Sequence, residues 1–200
     1  SIVIKDVTRA GIPANITGNV FYQEELLGVS IAADHYTRAV NSNKIKWQIL
    51  PDHGRTGSAI TPFPVTAPEQ KPGGSAPHLE YEVYTYSEGD LSIQAYFSPT
   101  LNFQSTEEGL QYAISIDDET PQVISINKED KNSISGVWNK WVAENIIIKS
   151  SKHKIVKPGR HTVKYWMVDP GVVLQKLVLD FGDTEKTYLG PAETLYINKK

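Results

Sequence analysis

The chain of 200 residues has no cysteine. That excludes disulfides, thiolate zinc sites and thiol nucleophiles, and leaves the redox compartment open. It has no long basic run: Lys and Arg number 20 against 23 Asp and Glu, for a net charge of −3. A nucleic-acid or anionic-membrane partner is therefore not expected. No apolar run approaches the ~20 residues of a membrane-spanning helix. The start, Ser1-Ile2-Val3-Ile4, lacks the basic flank and long apolar core of a signal peptide, so a soluble chain is expected, either mature or cut from a longer one. Enzyme motifs are missing too. His35, His53, His78, His153 and His161 are scattered without metal-ligand spacing, and no nucleophile elbow, phosphate loop or dinucleotide fingerprint occurs. Gly54–Gly57 is glycine-rich but lacks the strand-to-helix setting of a phosphate loop.

What is present is a strand former's composition, 40% hydrophobic and 10% aromatic, enough for one substantial core. The strongest stretch is Tyr165–Asp180, where two runs of valine, leucine and aromatics flank Asp169-Pro170-Gly171. A proline followed by a glycine suits a turn, so a β-hairpin is expected here, with Val163, Tyr165, Met167, Val173, Leu177 and Leu179 inward. Trp166, Leu174 and Val178 make the second face apolar as well, as in a central sandwich position. Lys44–Leu50, His78–Tyr86 and Leu91–Phe97 alternate with period two, and Tyr112–Ile116 and Gln122–Ile126 flank the acidic turn Asp117-Asp118-Glu119. Pro51–Pro77 reads as a long loop containing a short apolar piece. Trp138, Trp141, Val142 and Asn145 have helical spacing, which predicts one short helix within 137–150, before a strand at His153–Val156. Residues 1–28 read as a lead-in, 29–182 as the main domain and 183–200 as an irregular tail. The expected fold is all-β, an antiparallel β-sandwich or barrel with one short helix, wired as a Greek key or jelly roll.

With catalytic motifs missing, the aromatics carry the most chemistry. Sugar rings present apolar C–H faces that stack on tryptophan and tyrosine. Trp47 and Trp166 sit inside alternating strands and read as core, and Trp138 and Trp141 face one way on an amphipathic helix, where packing is the default. Tyr84, Tyr86 and Tyr96 fall opposite the apolar stripes and are expected at the surface. Arg55 and Asn102 lie in loops and carry planar donors suited to carboxylates and hydroxyls, or to ordinary loop capping. The candidate sugar contacts are thus Arg55, Tyr84, Tyr96, Asn102 and Trp141. The cluster Asp117, Asp118 and Glu119 reads as a solvated turn in preference to a metal or acid–base pair.

The segments SIAADHYTR (Ser30–Arg38), GRTGSAITPFPVTAP (Gly54–Pro68), SPTLNF (Ser98–Phe103), YAISIDDETPQ (Tyr112–Gln122), WVAENI (Trp141–Ile146), SSKHKI (Ser150–Ile155) and YWMVDPGVVLQKLVLD, followed by YLGP (Tyr188–Pro191), resemble the C-terminal domain of glycoside hydrolase family 115, the xylan α-1,2-glucuronidases. The resemblance runs from about Phe21 to Pro191. It implies a jelly-roll β-sandwich similar to carbohydrate-binding modules of families 6 and 35, with catalysis in a separate barrel of the parent enzyme. It further implies a non-catalytic chain, an extracytoplasmic location and glucuronoxylan or its oligosaccharides as partner. Related modules hold a structural calcium with acidic residues on the first and last strands. Here Ala32 replaces the first glutamate of that pattern, leaving Asp34 and Asp180 as the candidate metal ligands. Two other roles compete with sugar binding: a structural or dimerisation domain of the parent hydrolase, and a free-standing hydrolase of unrecognised type.

Overall fold

The computed structural model describes residues 18–23, 28–128, 137–182, 190–194 and 196–199. The strands, in chain order, are β1 (Gly18–Tyr22), β2 (Val29–Ala32), β3 (Arg38–Val40), β4 (Lys46–Leu50), β5 (Ala59–Phe63), β6 (His78–Thr85), β7 (Gly89–Phe97), β8 (Gln111–Ile116) and β9 (Gln122–Ser125). After the helix α1 (Val137–Glu144) come β10 (Ile147–Ile155), β11 (Gly159–Met167), β12 (Leu174–Asp180) and β13 (Tyr196–Lys199). One sheet runs β13-β1-β6-β11-β8-β9, with β3 also on β6; the other runs β10-β7-β12-β5-β4, with β2 also on β12. Every described pairing is antiparallel except β1 on β6. From β6 to β8, and again from β9 to β12, the chain crosses between sheets at each connection, which is jelly-roll wiring.

The core lies between the sheets. Leu79, Tyr81 and Val83 of β6, Leu91, Ile93, Ala95 and Phe97 of β7, and Val163 and Tyr165 of β11 point into it, following the alternation read from sequence. At its centre Tyr165 packs between Tyr112, at 5.7 Å, and Trp47, at 5.8 Å. Burial pushes the Tyr81 and Tyr165 phenols well above their ordinary range.

Three expectations are corrected. Tyr165–Asp180 is not a hairpin: β11 and β12 belong to opposite sheets, and the Asp-Pro-Gly corner carries the chain across the sandwich. Both long edges of β11 are occupied, by β6 and β8, so none is left for β12. Both faces of the two strands are covered, as expected: Trp166 and Val178 are buried like Tyr165 and Leu177. The proline-rich 51–77 segment is not all loop, because β5 runs within it and links β4 to β12. The boundaries at 29 and 182 do not separate the sandwich from flanks. Tyr22 of β1 pairs with Tyr84, β13 pairs with β1, and Phe21 is fully buried. Residues 1–17 and 24–27 of the lead-in, and residues 183–189, 195 and 200 of the tail, lie outside the described residues. The helix is where its spacing put it, while β10 starts directly after it, taking the β-branched Ile147 and Ile148 into the strand.

The loop from Ser98 to Leu110 closes at Gly109, whose φ is +69°. A Cβ there would lie 2.5 Å from Asn127 Oδ1 and 2.9 Å from the Lys128 amide nitrogen. Asn127 Oδ1 also accepts the Leu110 N–H at 2.7 Å. Gly109→Ala is therefore expected to destabilise the fold by about 2 kcal/mol in chemical denaturation, through backbone strain and the displaced hydrogen bond.

Candidate functional site

The outer face of the β6–β11 pair is polar by sequence yet largely covered. Register sets Arg160 opposite Tyr84, Thr162 opposite Glu82, Lys164 opposite Glu80 and Trp166 opposite His78. Glu82 accepts Arg160 Nε at 2.5 Å and the Thr162 hydroxyl at 2.8 Å. Glu80 takes a two-point grip from Arg38, Nε at 2.6 Å and Nη2 at 2.5 Å, with His78 Nε2 at 3.1 Å. Burial pushes the Glu80 carboxyl up, but the bonds from Arg38 and His78 outweigh it and hold the acid below its ordinary value. A depressed acid contributes stability that is complete above pH 4.5 and is lost as pH falls through the folded value. Arg38 is largely exposed, so Arg38→Ala is expected to cost about 1 kcal/mol at pH 7 and less at pH 3, read from thermal melts at the two pH values.

This ladder ends in three tyrosines. Tyr22 on β1 lies beside Tyr84 on β6, with ring centres 5.9 Å apart and planes inclined by 29°. Tyr86, just past the end of β6, is 5.2 Å from Tyr84 at 57°. Tyr86 is 50% exposed and Tyr84 half-buried. The buried Gln23 fixes the corner: its Oε1 accepts the N–H groups of Tyr86 and Ser87 at 2.8 and 2.9 Å, and its Nε2 donates to Ser87 Oγ at 2.7 Å. The result is a fixed aromatic shelf, apolar in its rings and flanked by the donors of Arg160.

The five sequence candidates do not converge. Only Tyr84 belongs to the shelf. Tyr96 is 6% exposed on the outer face of the other sheet, packed with Ile146 and Val178 beneath Gly190, so it offers no ring face. Trp141 is 9% exposed in the main core, with Lys149 Nζ 5.7 Å above its ring. Asn102 caps its own loop, donating to the Thr106 carbonyl at 2.8 Å. Arg55 stands at the opposite end, its backbone N–H on Gln175 Oε1 at 2.9 Å. The loop that carries it borders a cleft of about 250 Å³, lined by Asp34, His35, Thr56, Gln175 and Glu193 among others. Tyr22 escaped the sequence reading because it sits in the segment taken for a lead-in; the aromatic run Phe21-Tyr22 was its one local signal.

The metal ligands do not converge either. Leu179 pairs with Val29 and Lys176 with Ala32, so Asp180 lies at one end of the β2–β12 ladder and Asp34 beyond the other. Six strand residues separate their levels, roughly 20 Å, and one ion cannot bridge that. Asp180 instead accepts the Gly182 N–H at 2.8 Å and Gln94 Nε2 at 3.4 Å. At the Ala32 position the chain supplies Glu193 from its C-terminal segment, whose Oε1 accepts the Ala32 N–H at 2.9 Å and lies 2.8 Å from His35 Nδ1. Among the described residues no three His, Asp or Glu side chains are grouped to hold a metal. Asp34 and Asp180 therefore do not form one calcium site together.

One arrangement has the look of a catalytic relay. His153 Nε2 lies 2.8 Å from Ser151 Oγ, and its Nδ1 lies 2.7 Å from Glu119 Oε2. The hydrogen-bond order is that of a serine nucleophile, its base and an orienting carboxylate. Yet Ser151 is 4% exposed and the His153 side chain is fully buried, so no substrate carbonyl can approach. The three residues tie β10 to the β8–β9 turn, joining the two sheets. Asp117 beside them holds the turn to β11 within its own sheet, accepting the Thr162 N–H at 2.9 Å, with His161 Nδ1 2.8 Å from its other oxygen. The acidic turn is thus spent on structure.

The chain resembles known proteins along most of its length. A family GH115 4-O-methyl-α-glucuronidase, described as specific for decorated arabinogalactans, superposes with a TM-score of 0.56 at 16% identity, over 78% of this chain and 18% of that one. The chain therefore spans about a fifth of that relative's length. The C-terminal family 6 carbohydrate-binding module of a laminarinase from Zobellia galactanivorans matches with a TM-score of 0.48 at 12% identity, over 76% of this chain and 98% of the module. A family 35 module from Clostridium thermocellum gives 0.46 at 12% identity, over 76% and 97%. Comparison with curated protein sequences found no match. The glycosyl hydrolase family 115 C-terminal domain model matches residues 22–193. The chain belongs to that family, as its C-terminal domain.

Proposed function

We propose that this domain holds polysaccharide for a family 115 hydrolase, with the Tyr22, Tyr84 and Tyr86 shelf as the contact surface. The observation that carries the reading is the shelf itself: three adjoining rings at the end of this sheet face, the outermost half-exposed. Apolar sugar faces stack on such rings, and Arg160, opposite Tyr84, supplies donors for hydroxyls or a uronate carboxylate. The ligand we assign is glucuronoxylan or its uronic-acid-bearing oligosaccharides, met outside the cell, with the catalytic domain of the parent enzyme as the second partner. One shallow face buries little area, so a single site binds weakly and serves to raise the local concentration of a linked enzyme.

Affinity electrophoresis through glucuronoxylan tests this. The full chain is expected to be retarded, and a Tyr84→Ala/Tyr86→Ala variant to run as in a gel without polysaccharide. Equal mobility of the unaltered chain with and without glucuronoxylan contradicts the proposal.

A further inference from the structure

We infer that the end of the sandwich opposite the tyrosines is a protein-docking surface, and that its occupant is the catalytic part of the parent hydrolase. This rests on the proposal that the chain works as one domain of a longer family 115 enzyme, and it names the face that meets the rest.

The two ends differ in chemistry. Beside the tyrosines the connections are charged, with Glu88 between β6 and β7, Asp117, Asp118 and Glu119 between β8 and β9, and Lys157 between β10 and β11. The far end carries the corner Asp169-Pro170-Gly171 and the loops that flank it. Residues 56–68 and 98–106 hold no charged side chain, yet they expose Phe63, Val65, Leu101 and Phe103 by 51 to 55% each. Loss of charge together with exposed aromatic rings marks the centre of a protein interface, and scattered single apolar residues do not. The two side-chain amides of the second loop are already engaged, Asn102 on the Thr106 carbonyl and Gln104 on the Asp169 carboxyl, which argues for protein over sugar.

Both loops flank one stretch of the corner. The Thr61 hydroxyl donates to the Val172 carbonyl at 2.9 Å, and Phe63 follows on the same side of β5. The Phe103 ring lies against Gly171, where an added Cβ would come within 2.8 Å of it. Neither loop is slack. Ala67 packs with Ile45 and Met167, the Gln70 N–H donates to the Val168 carbonyl at 2.8 Å, and Asn127 Nδ2 donates to the Thr100 carbonyl at 2.8 Å. An apolar surface held in place before contact loses little entropy on docking.

The direction of the chain selects the occupant. β1 runs parallel to β6, so it is entered from the apolar end. The matching family model is that of a C-terminal domain, so the rest of a family 115 hydrolase precedes β1 and reaches it from this side. That rest is large, because the part shared with the glucuronidase is 18% of its chain. The tyrosines stay clear at the opposite end, and polysaccharide and enzyme can be held at once.

Carbene footprinting of the isolated chain and of the whole enzyme, expressed from its uninterrupted reading frame, tests the inference. Phe63, Val65, Leu101 and Phe103 are expected to label freely in the isolated chain and about fivefold less in the whole enzyme, the change from half exposure to an interface core. Tyr86 and Val156, at the charged end, are expected to label alike in both. A Val65→Asp/Leu101→Asp variant is expected to leave the melting temperature of the isolated chain unchanged and to restore labelling of Phe63 and Phe103 in the whole enzyme. Equal labelling of the four positions in the two proteins overturns the inference, as does protection that survives the two aspartates. Protection already present in the isolated chain overturns it too: where it grows with concentration a second copy is the occupant, and where it does not, residues 1–17 are. A reading frame with no hydrolase ahead of β1 removes the parent enzyme along with the inference. None of these results bears on sugar binding, which stands or falls on migration in glucuronoxylan.

Discussion

A fragment trimmed to residues 29–182 is expected to fail to fold as a cooperative unit. The trim removes β1 and β13, and with them Val20 and Phe21, both buried against the core. Phe21 packs on Tyr196 of β13 at 4.8 Å. Loss of a buried phenylalanine alone costs about 3–5 kcal/mol. The trim also bares the β6 edge and deletes the segment whose Thr194 hydroxyl accepts the Ser30 N–H at 2.9 Å and whose Pro191 carbonyl accepts Lys176 Nζ at 2.8 Å. Burial has already pulled the Lys176 ammonium below its ordinary value, so removing that acceptor leaves a covered cation with one partner fewer. The sum exceeds about 5 kcal/mol, against a total stability of about 5–15 kcal/mol for a domain. Thermal melts are expected to show either no cooperative transition or a midpoint lower by at least about 10 °C. A fragment melting like the full chain would show that β1 and β13 are dispensable.

Tyr165→Ala is the point substitution with the largest expected effect. The ring meets Trp47, Phe97 and Tyr112 at 5.8, 6.4 and 5.7 Å, joining the two sheets at the core's centre. No neighbour can swing in to fill the space without leaving its own contacts, so the cavity persists. The expected loss is about 4 kcal/mol, measured by urea denaturation, with an unchanged m-value if the variant still folds as one unit. A loss under about 1 kcal/mol would mean the core closes around the gap.

Much of this fold was legible because alternation is local. His78–Thr85 and Leu91–Phe97 announced their inner faces residue by residue, and the structure keeps those faces. What stayed hidden depended on partners far along the chain. Nothing near Tyr165 says whether β12 pairs with β11 or crosses to the other sheet; that follows from which strands already occupy the edges of β11. β5 was masked by Pro62 and Pro64, and proline within or beside a strand usually signals a loop. At the site, Tyr84 was readable from its place opposite the apolar stripe, but Tyr96 shares that pattern and is covered by Gly190 from almost a hundred residues away. Trp141, named as a sugar contact, is core, which is the default for its helical spacing. Tyr22 needed the parallel pairing of β1 with β6, a contact across some sixty residues that no local pattern reports.

The most direct measurement of the central claim, that this domain is a polysaccharide-holding part of a family 115 hydrolase acting through its tyrosine shelf, is the mobility of the intact chain in glucuronoxylan gels beside the Tyr84→Ala/Tyr86→Ala variant. Retardation of the intact chain that disappears in the variant, with both proteins melting alike, is the predicted result. Equal retardation of the two would place the binding elsewhere, and no retardation of either would leave the domain without the role assigned to it.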